Sequence, residues 1–288
     1  MASHRVIKSL SDPLVAELLG LANESARRVE SKLCVVSGKK LLNELAEKVA
    51  NMRSYQHNML GTIRMPQPLE KPPDTTKLLL ILDGVIDAGQ LGTILRSAFA
   101  LKWHSIWFLP RTNADPFDHK AIRSSQGALW HMPFSYGKLD RLERFIEESS
   151  LFPAVLDTKG PLIGGDGDIF TTNSPSTNGI ALLIRGPHAG LATPPKSFNR
   201  VRLSDAGGRM NLTEADLGMV ASVALHEIKN NYFQHVSASP FVASPEAPRE
   251  GSKYAHHFDA RGRARSRRVL ERQQAARRTD RFRTGKTT

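Results

Sequence analysis

The sequence predicts an α/β fold built on a parallel sheet, and three observations carry that prediction. First, short apolar runs at 78–82, 105–109, 153–156, 180–184 and 200–203 alternate with segments of helical period at 91–101, 116–126, 138–148 and 212–230. Second, Leu78-Leu79-Leu80-Ile81-Leu82 is apolar at every position, as a strand covered on both faces must be. Third, that run gives way to Asp83-Gly84 and Asp87-Ala88-Gly89, and then to Leu91, Ile94, Leu95, Ala98 and Leu101 at helical spacing, with Arg96 and Lys102 off the stripe. Strand, glycine-bearing loop and helix make half of a βαβ unit. Ligands of such sheets bind where a strand's carboxyl end meets the next helix.

Composition narrows the function classes. The chain has 288 residues, enough for one or two domains, with 40% hydrophobic residues and a mean hydropathy of −0.33. No run approaches the roughly 20 apolar residues of a membrane span. The N-terminus lacks an apolar signal region, so secretion is not expected, and an element pattern starting near residue 6 leaves little room for a cleaved presequence. The single cysteine, Cys34, excludes an internal disulfide and a multi-cysteine metal site, and no metal is expected. Between Leu33 and Val35 it reads as a small buried side chain rather than a nucleophile. A net charge of +12 and a pI near 10.0 are the footprint of a nucleic-acid binder.

In chain order, residues 1–63 form a small α/β unit. Ser11-Asp12-Pro13 is a helix start, with a capping carboxylate before a proline at the first helical position. Leu14, Leu18, Leu19 and Leu21 continue that helix. Leu33 to Val36 is a strand stopped by Ser37-Gly38, and Leu41, Leu42, Leu45 and Val49 mark another helix. Arg27, Arg28, Lys32, Lys39 and Lys40 are candidate phosphate contacts, or else a solvated helical face. Residues 64–77, with Pro66, Pro68, Pro72 and Pro73, read as a semi-rigid linker, and 78–236 as the main domain. Residues 158–178 read as long loops. Residues 237–288 form a basic tail whose arginines, among them Arg261, Arg263, Arg265, Arg267, Arg268, Arg272, Arg277 and Arg278, have too few apolar neighbours to build a core. Such a segment orders on RNA in a salt-dependent way, or serves as a targeting signal or a contact for an acidic protein.

Three segments together resemble the SpoU/TrmH-type RNA ribose 2′-O-methyltransferases of the SPOUT superfamily. The first is Asp83-Gly84, Asp87, Leu91-Gly92 and Arg96, where Ala88 replaces the usual Pro and Gln90 the usual Asn; the block Ala114-Asp115-Pro116-Phe117 to Arg123-Ser124-Ser125-Gln126-Gly127 follows it. The second is Ile184-Arg185-Gly186-Pro187-His188-Ala189-Gly190, in which His188 or, in the neighbouring register, Pro187 replaces the usual carboxylate. The third is Val201-Arg202-Leu203 followed by Gly207 to Thr213, in which Asn211 matches and Arg209 replaces a Ser. For Asn211 alone, a helix N-cap is an equally good role.

The resemblance implies a C-terminal trefoil knot, a small substrate-binding domain before it, and S-adenosylmethionine as cofactor. It also implies a homodimer, or a heterodimer with a related subunit, formed through the knotted domain. Cofactor contacts fall on Ile184, Gly186, Pro187, Gly190, Leu203, Met210 and Leu212. Catalytic roles fall on Arg96 and Asn211, with Gln90 as a longer amide in place of Asn. RNA contacts are assigned to Arg27, Arg28, Lys39, Arg123, Arg265, Arg267 and Arg268. The implied reaction is methyl transfer to a ribose 2′-OH of ribosomal or transfer RNA. A guanidinium stays charged, so orienting the hydroxyl is an easier role for Arg96 than removing its proton. The alternative reading is an inactive SpoU-like protein that binds RNA or an assembling ribosomal subunit. Either one places the protein in a ribosome-bearing compartment, mitochondrial or cytoplasmic.

Overall fold

The computed structural model describes residues 11–38, 41, 42, 45, 60–110, 113–165, 170, 178–203 and 217–236. The N-terminal unit opens with helices α1 (Pro13–Asn23) and α2 (Ser25–Ser31). Asp12 caps α1, its carboxylate accepting from the Leu14 amide at 2.9 Å, as Ser11-Asp12-Pro13 predicts. Strand β1 (Leu33–Ser37) then pairs antiparallel with β2 (Leu60–Arg64). The short β2, exposed at both ends, is a strand the sequence pattern does not signal. Leu41, Leu42 and Leu45 are helical and buried, as expected, while Val49 lies outside the described residues.

The main sheet has six strands: β3 (Leu78–Asp83), β4 (Ser105–Phe108), β5 (Phe134–Tyr136), β6 (Leu151–Leu156), β7 (Gly179–Arg185) and β8 (Asn199–Val201). Their order is β5-β4-β3-β7-β6-β8, and every pairing is parallel. β3 lies inside the sheet and all six of its residues are buried, so its unbroken apolar run is accounted for. β5 is missed by the sequence reading because only three residues, between Pro133 and Gly137, form it.

Side chains alternate across the sheet. Leu78, Leu80 and Leu82 of β3, with Ile180, Leu182 and Ile184 of β7, enter the larger core. That face carries α3 (Ala88–Ala100), α4 (His119–Ser125) and α6 (Leu217–Tyr232). Leu79, Ile81, Ala181 and Leu183 point to the other face, where Leu142, Phe145 and Ile146 of α5 (Leu139–Glu148) cover them. The helix expected over 212–230 is described from Leu217, and 212–216 lie outside the described residues.

Cys34, Val36, Leu42, Leu45 and Ile63 of the N-terminal unit join the same core as α3, α4 and α6. The Trp130 indole donates to the Arg64 carbonyl at 3.1 Å across this junction. The proline-rich segment packs on the sheet edge, where Leu69 bridges to Ser135 of β5 and its amide donates to the Phe134 carbonyl at 2.8 Å.

Candidate active site

The site grows from one buried carboxylate. Asp83 ends β3, is fully buried, and sits opposite Arg185 in the parallel ladder with β7. Its Oδ1 accepts from the Gly190 amide at 2.8 Å and its Oδ2 from the Leu191 amide at 3.3 Å. The Arg185 Nε lies 3.8 Å from the same Oδ2, and its Nη2 donates to the Leu191 carbonyl. One ion pair therefore fixes both ends of the loop after β7, because buried charges must be matched by hydrogen bonds or by opposite charge. Gly84, at φ +78°, lies against this loop so closely that a Cβ there would collide with the Ala189 backbone; one on Gly186 would strike the Gly84 carbonyl. The Asp-Gly of the first motif and the Gly-Pro of the second are thus one interlocked unit.

Asn113 ties in the next loop. Its Oδ1 accepts from Val85 at 3.0 Å, and its Nδ2 donates to the Leu82 and Leu109 carbonyls at 2.8 and 3.2 Å. Asp87 caps α3 by accepting from Gln90 N at 2.8 Å, so the residue after it stands where the family's proline suits a first helical position. Gly92 is required by packing, since a Cβ would run into Ser124 and the Ala121 carbonyl of α4.

At the carboxyl ends of β6 and β7 the interlocked loop leaves a cavity of about 340 Å³, a size that suits a small organic ligand. Gly186 and Pro187, both assigned to the cofactor from sequence, line it together with Leu156, Asp157, Arg185 and Leu191. The other assignments divide. Gly190 serves Asp83, while the Ile184 and Leu203 side chains are buried in the main core. Both side chains pack in the core instead, Ile184 because its position on β7 faces the helix layer and Leu203 just beyond the end of β8. Met210, Asn211 and Leu212 lie outside the described residues. Leu156, Asp157 and Leu191 were missed, since nothing in their local pattern marks a strand end as a cavity wall. Asp157 is held by the amides of Thr158 and Lys159 and by Arg200, 3.4 Å away.

Arg96 is exposed on the outer side of α3 and is not part of the cavity wall. Gln90 is engaged elsewhere: its Oε1 accepts from Gly218 N at 2.6 Å and joins the start of α6 to that of α3. Ser97 and Ser222 meet at 2.7 Å further along the same contact. Gln90 therefore acts as a structural tie, in correction of its assignment as a catalytic amide.

The assignment of Arg28 to RNA is also corrected. Arg28 is 1% exposed. Its Nε and Nη2 donate to Asp115 Oδ2 at 3.0 and 2.5 Å, and its Nη1 donates to the carbonyls of Leu21 and Ala22 at 2.6 and 3.1 Å. It fastens the N-terminal unit to the loop after β4 and turns no donor face to solvent. Arg27 and Arg123 are exposed, with Arg27 paired to Glu24 at 2.9 Å. Lys39, Arg265, Arg267 and Arg268 lie outside the described residues. Burial pushes the Cys34 thiol pKa far up, with Asp115 adding to the effect, so this cysteine is no nucleophile. Among the described residues no cluster of metal-ligating side chains occurs, and no helix is long and apolar enough to cross a membrane.

An all-parallel sheet with its cavity at the strand carboxyl ends defines a ligand-binding α/β fold. The family model described as SpoU rRNA Methylase matches residues 77–164. A 23S rRNA (guanosine-2′-O-)-methyltransferase of Yersinia pestis is 30% identical over 182 residues, covering 62% of this chain and 67% of that protein. A Synechocystis protein described as an uncharacterized tRNA/rRNA methyltransferase is 39% identical over 89 residues, 30% of this chain, and the match spans only 32% of that relative's length. The crystal structure of an AdoMet-bound rRNA methyltransferase from Sinorhizobium meliloti superposes with a TM-score of 0.62 at 17% identity, covering 80% of this chain and 99% of the other. The chain belongs to the SpoU methylase family, and its fold is that of the SPOUT methyltransferases.

Proposed function

We propose that this protein is an S-adenosylmethionine-dependent ribose 2′-O-methyltransferase acting on ribosomal or transfer RNA. The observation that carries the reading is the Asp83 lock. It holds the glycine-bearing loop after β7 against the Gly84 turn and leaves an organic-ligand cavity at the strand ends. The residues present fit the cofactor. Leu156, Pro187 and Leu191 offer apolar walls, and Gly186 lets backbone come close. Asp157 offers a carboxylate in a site where the second motif has none, and a carboxylate suits the positive charge of a sulfonium or an amine.

Bound there, S-adenosylmethionine supplies a methyl group activated on sulfur. The chain's own task is to align a ribose hydroxyl with that methyl and to favour the charge developing on its oxygen. Arg96 does this as a fixed cation, and the proton passes to another group. Asn211 completes the hydroxyl's orientation. Arg96 is exposed and does not line its own chain's cavity, so the reading includes a dimer in which the α3/α6 surface approaches a partner's cavity. Phe99 and Met219, 43% and 57% exposed on that surface, are the apolar contacts it offers. The same reading assigns a C-terminal trefoil knot to the domain 78–236, a substrate-binding role to residues 1–63 before the linker 64–77, RNA contact to Arg27, Arg123 and the basic tail 237–288, and a ribosome-bearing compartment.

Calorimetric titration with S-adenosylmethionine tests the cavity, and transfer of labelled methyl from it to ribosomal RNA tests the reaction. Micromolar binding is expected, with transfer abolished in Arg96→Ala while binding persists. Absence of binding at millimolar cofactor, with and without RNA, would end the enzyme reading.

A further inference from the structure

At the opposite end of the sheet from the cavity, three lysines and the half-buried His104 lie where β3 and β4 begin and α6 ends. Lys77 precedes β3, and its amide donates to His104 Nδ1 at 3.1 Å. His104 precedes β4. Lys102 follows α3, one residue before Trp103, whose indole donates to the Leu225 carbonyl of α6 at 3.3 Å. Lys229 lies one turn beyond Leu225, and its Nζ donates to the Phe233 carbonyl at 2.7 Å and to that of Val236. Lys77 and Lys102 are exposed.

The lysine charges act on one another and on the neutral imidazole of His104. Burial first, and then Lys229 and Lys77, disfavour the protonated form of His104; burial first, and then Lys102, disfavour that of Lys229. Gathering cations costs folding energy unless something anionic answers them.

The backbone at Lys102 adds an independent argument. α3 closes in a Schellman turn, with Trp103 N donating to the Ala98 carbonyl at 2.9 Å and Lys102 N to that of Phe99 at 3.0 Å. Lys102 holds the left-handed position of that turn, at φ +58°, where glycine is the unstrained choice. A long cation stands where the fold alone asks for no side chain. The chain then leaves this same end: Val236, whose carbonyl Lys229 holds, is followed by the segment that carries Arg261 to Arg283.

We propose that the amino-terminal edge of the sheet, with Lys77, Lys102 and Lys229, is a second RNA-docking face that grips the phosphate backbone away from the methyl-transfer site. The inference rests on RNA being the partner, as read above, and not on turnover. Phosphate contacts of this kind position an RNA without reading its sequence.

The test uses the full chain and a fluorescein-labelled RNA hairpin, with anisotropy read from 50 to 300 mM potassium chloride. The variants are Lys102→Gly, Lys77→Gln with Lys102→Gly, and Arg144→Gln. The last removes one charge from α5 on the other face of the sheet. Lys229 is left intact because it holds carbonyls. The double variant is expected to bind roughly three- to tenfold more weakly and to lower the slope of log affinity against log salt by about one to two. Lys102→Gly alone weakens binding while melting no lower than the parent, a combination that a merely structural lysine does not give. Unchanged affinity and slope in the double variant, or an equal loss in Arg144→Gln, would overturn the proposal. Failure of the parent chain to bind the hairpin at 50 mM salt would overturn it together with the RNA reading. Loss of RNA affinity in the double variant of a chain that binds no S-adenosylmethionine would support the docking face and refute the enzyme.

Discussion

Replacing Asp83 by Asn tests whether one carboxylate organises the cofactor loop. The substitution keeps the shape of the side chain and one acceptor oxygen. It removes the charge and turns an amide NH₂ toward one of two backbone donors, Gly190 N at 2.8 Å or Leu191 N at 3.3 Å. A buried donor left without an acceptor costs about 1–3 kcal/mol. Arg185 also loses its counter-charge, and a contact as long as 3.8 Å, with no hydrogen bond to it, limits that loss to about 1 kcal/mol. The sum is about 2–4 kcal/mol, spent either on global stability or on opening the loop 186–191 alone. Urea unfolding reads the first share, and amide hydrogen exchange at Gly190 and Leu191 reads the second. The local case predicts an almost unchanged unfolding midpoint, lost protection at those two amides, and a fall in S-adenosylmethionine affinity of tenfold or more. A change below about 0.5 kcal/mol with both amides still protected would refute the reasoning, because surface-like substitutions stay within that range.

Four further outcomes follow from the same contacts. Arg28→Ala leaves the mostly covered Asp115 carboxylate and the Leu21 and Ala22 carbonyls without a partner and should cost about 3–5 kcal/mol in urea unfolding, whereas an exposed neighbour such as Arg27→Ala should cost less than about 1 kcal/mol. Gly92→Ala forces a methyl into Ser124 and the α4 backbone, and its melting should report a loss of about 1–3 kcal/mol. The His104 pKa is lowered from 6.5, chiefly by burial and against a hydrogen bond to the Thr75 backbone. The unfolded chain therefore binds the extra proton first, so stability should hold above pH 6.5 and fall as pH drops below it, with His104→Gln flattening that limb of the curve. The buried Cys34 thiol should resist a maleimide or disulfide reagent at pH 8 and react only at the rate of unfolding, so fast labelling of the native protein would contradict its burial.

Elements whose burial is uniform or periodic were legible in the sequence. β3 declared itself because both of its faces are covered, and α3 because one stripe of it enters the core. β2 and β5 were not legible. Each is held by pairing partners far away in the chain, Leu33 to Ser37 for one and Ile106 to Phe108 for the other, and so few residues carry no period of their own. The same division runs through the site. The glycines and Asp83 were visible as a motif because close backbone approach restricts residue type. What they approach was not visible, since the collision between Gly84 and Ala189 joins positions more than a hundred residues apart.

Arg28 and Gln90 show the complementary failure. An arginine in a basic pair and an amide in a catalytic motif were read by type, yet type does not say whether a side chain faces solvent or structure. Arg28 turns inward because the carbonyls of Leu21 and Ala22 and the carboxylate of Asp115 are unmet without it. Gln90 turns to Gly218 because two helices that pack through small residues bring a bare amide within its reach, and one methylene more than Asn carries the acceptor there. That tie has a consequence for catalysis. α3 carries Arg96, so a bond from its first turn to Gly218 of α6 holds the arginine's helix in place without touching substrate. Gln90→Ala should then lower the rate of methyl transfer while leaving S-adenosylmethionine affinity nearly intact, because among the described residues the cavity wall at β6 and β7 contains none from either helix. Equal losses in rate and in cofactor affinity would mean that the two helices and the cavity form one unit, and that the separation between Arg96 and the cavity has been misjudged.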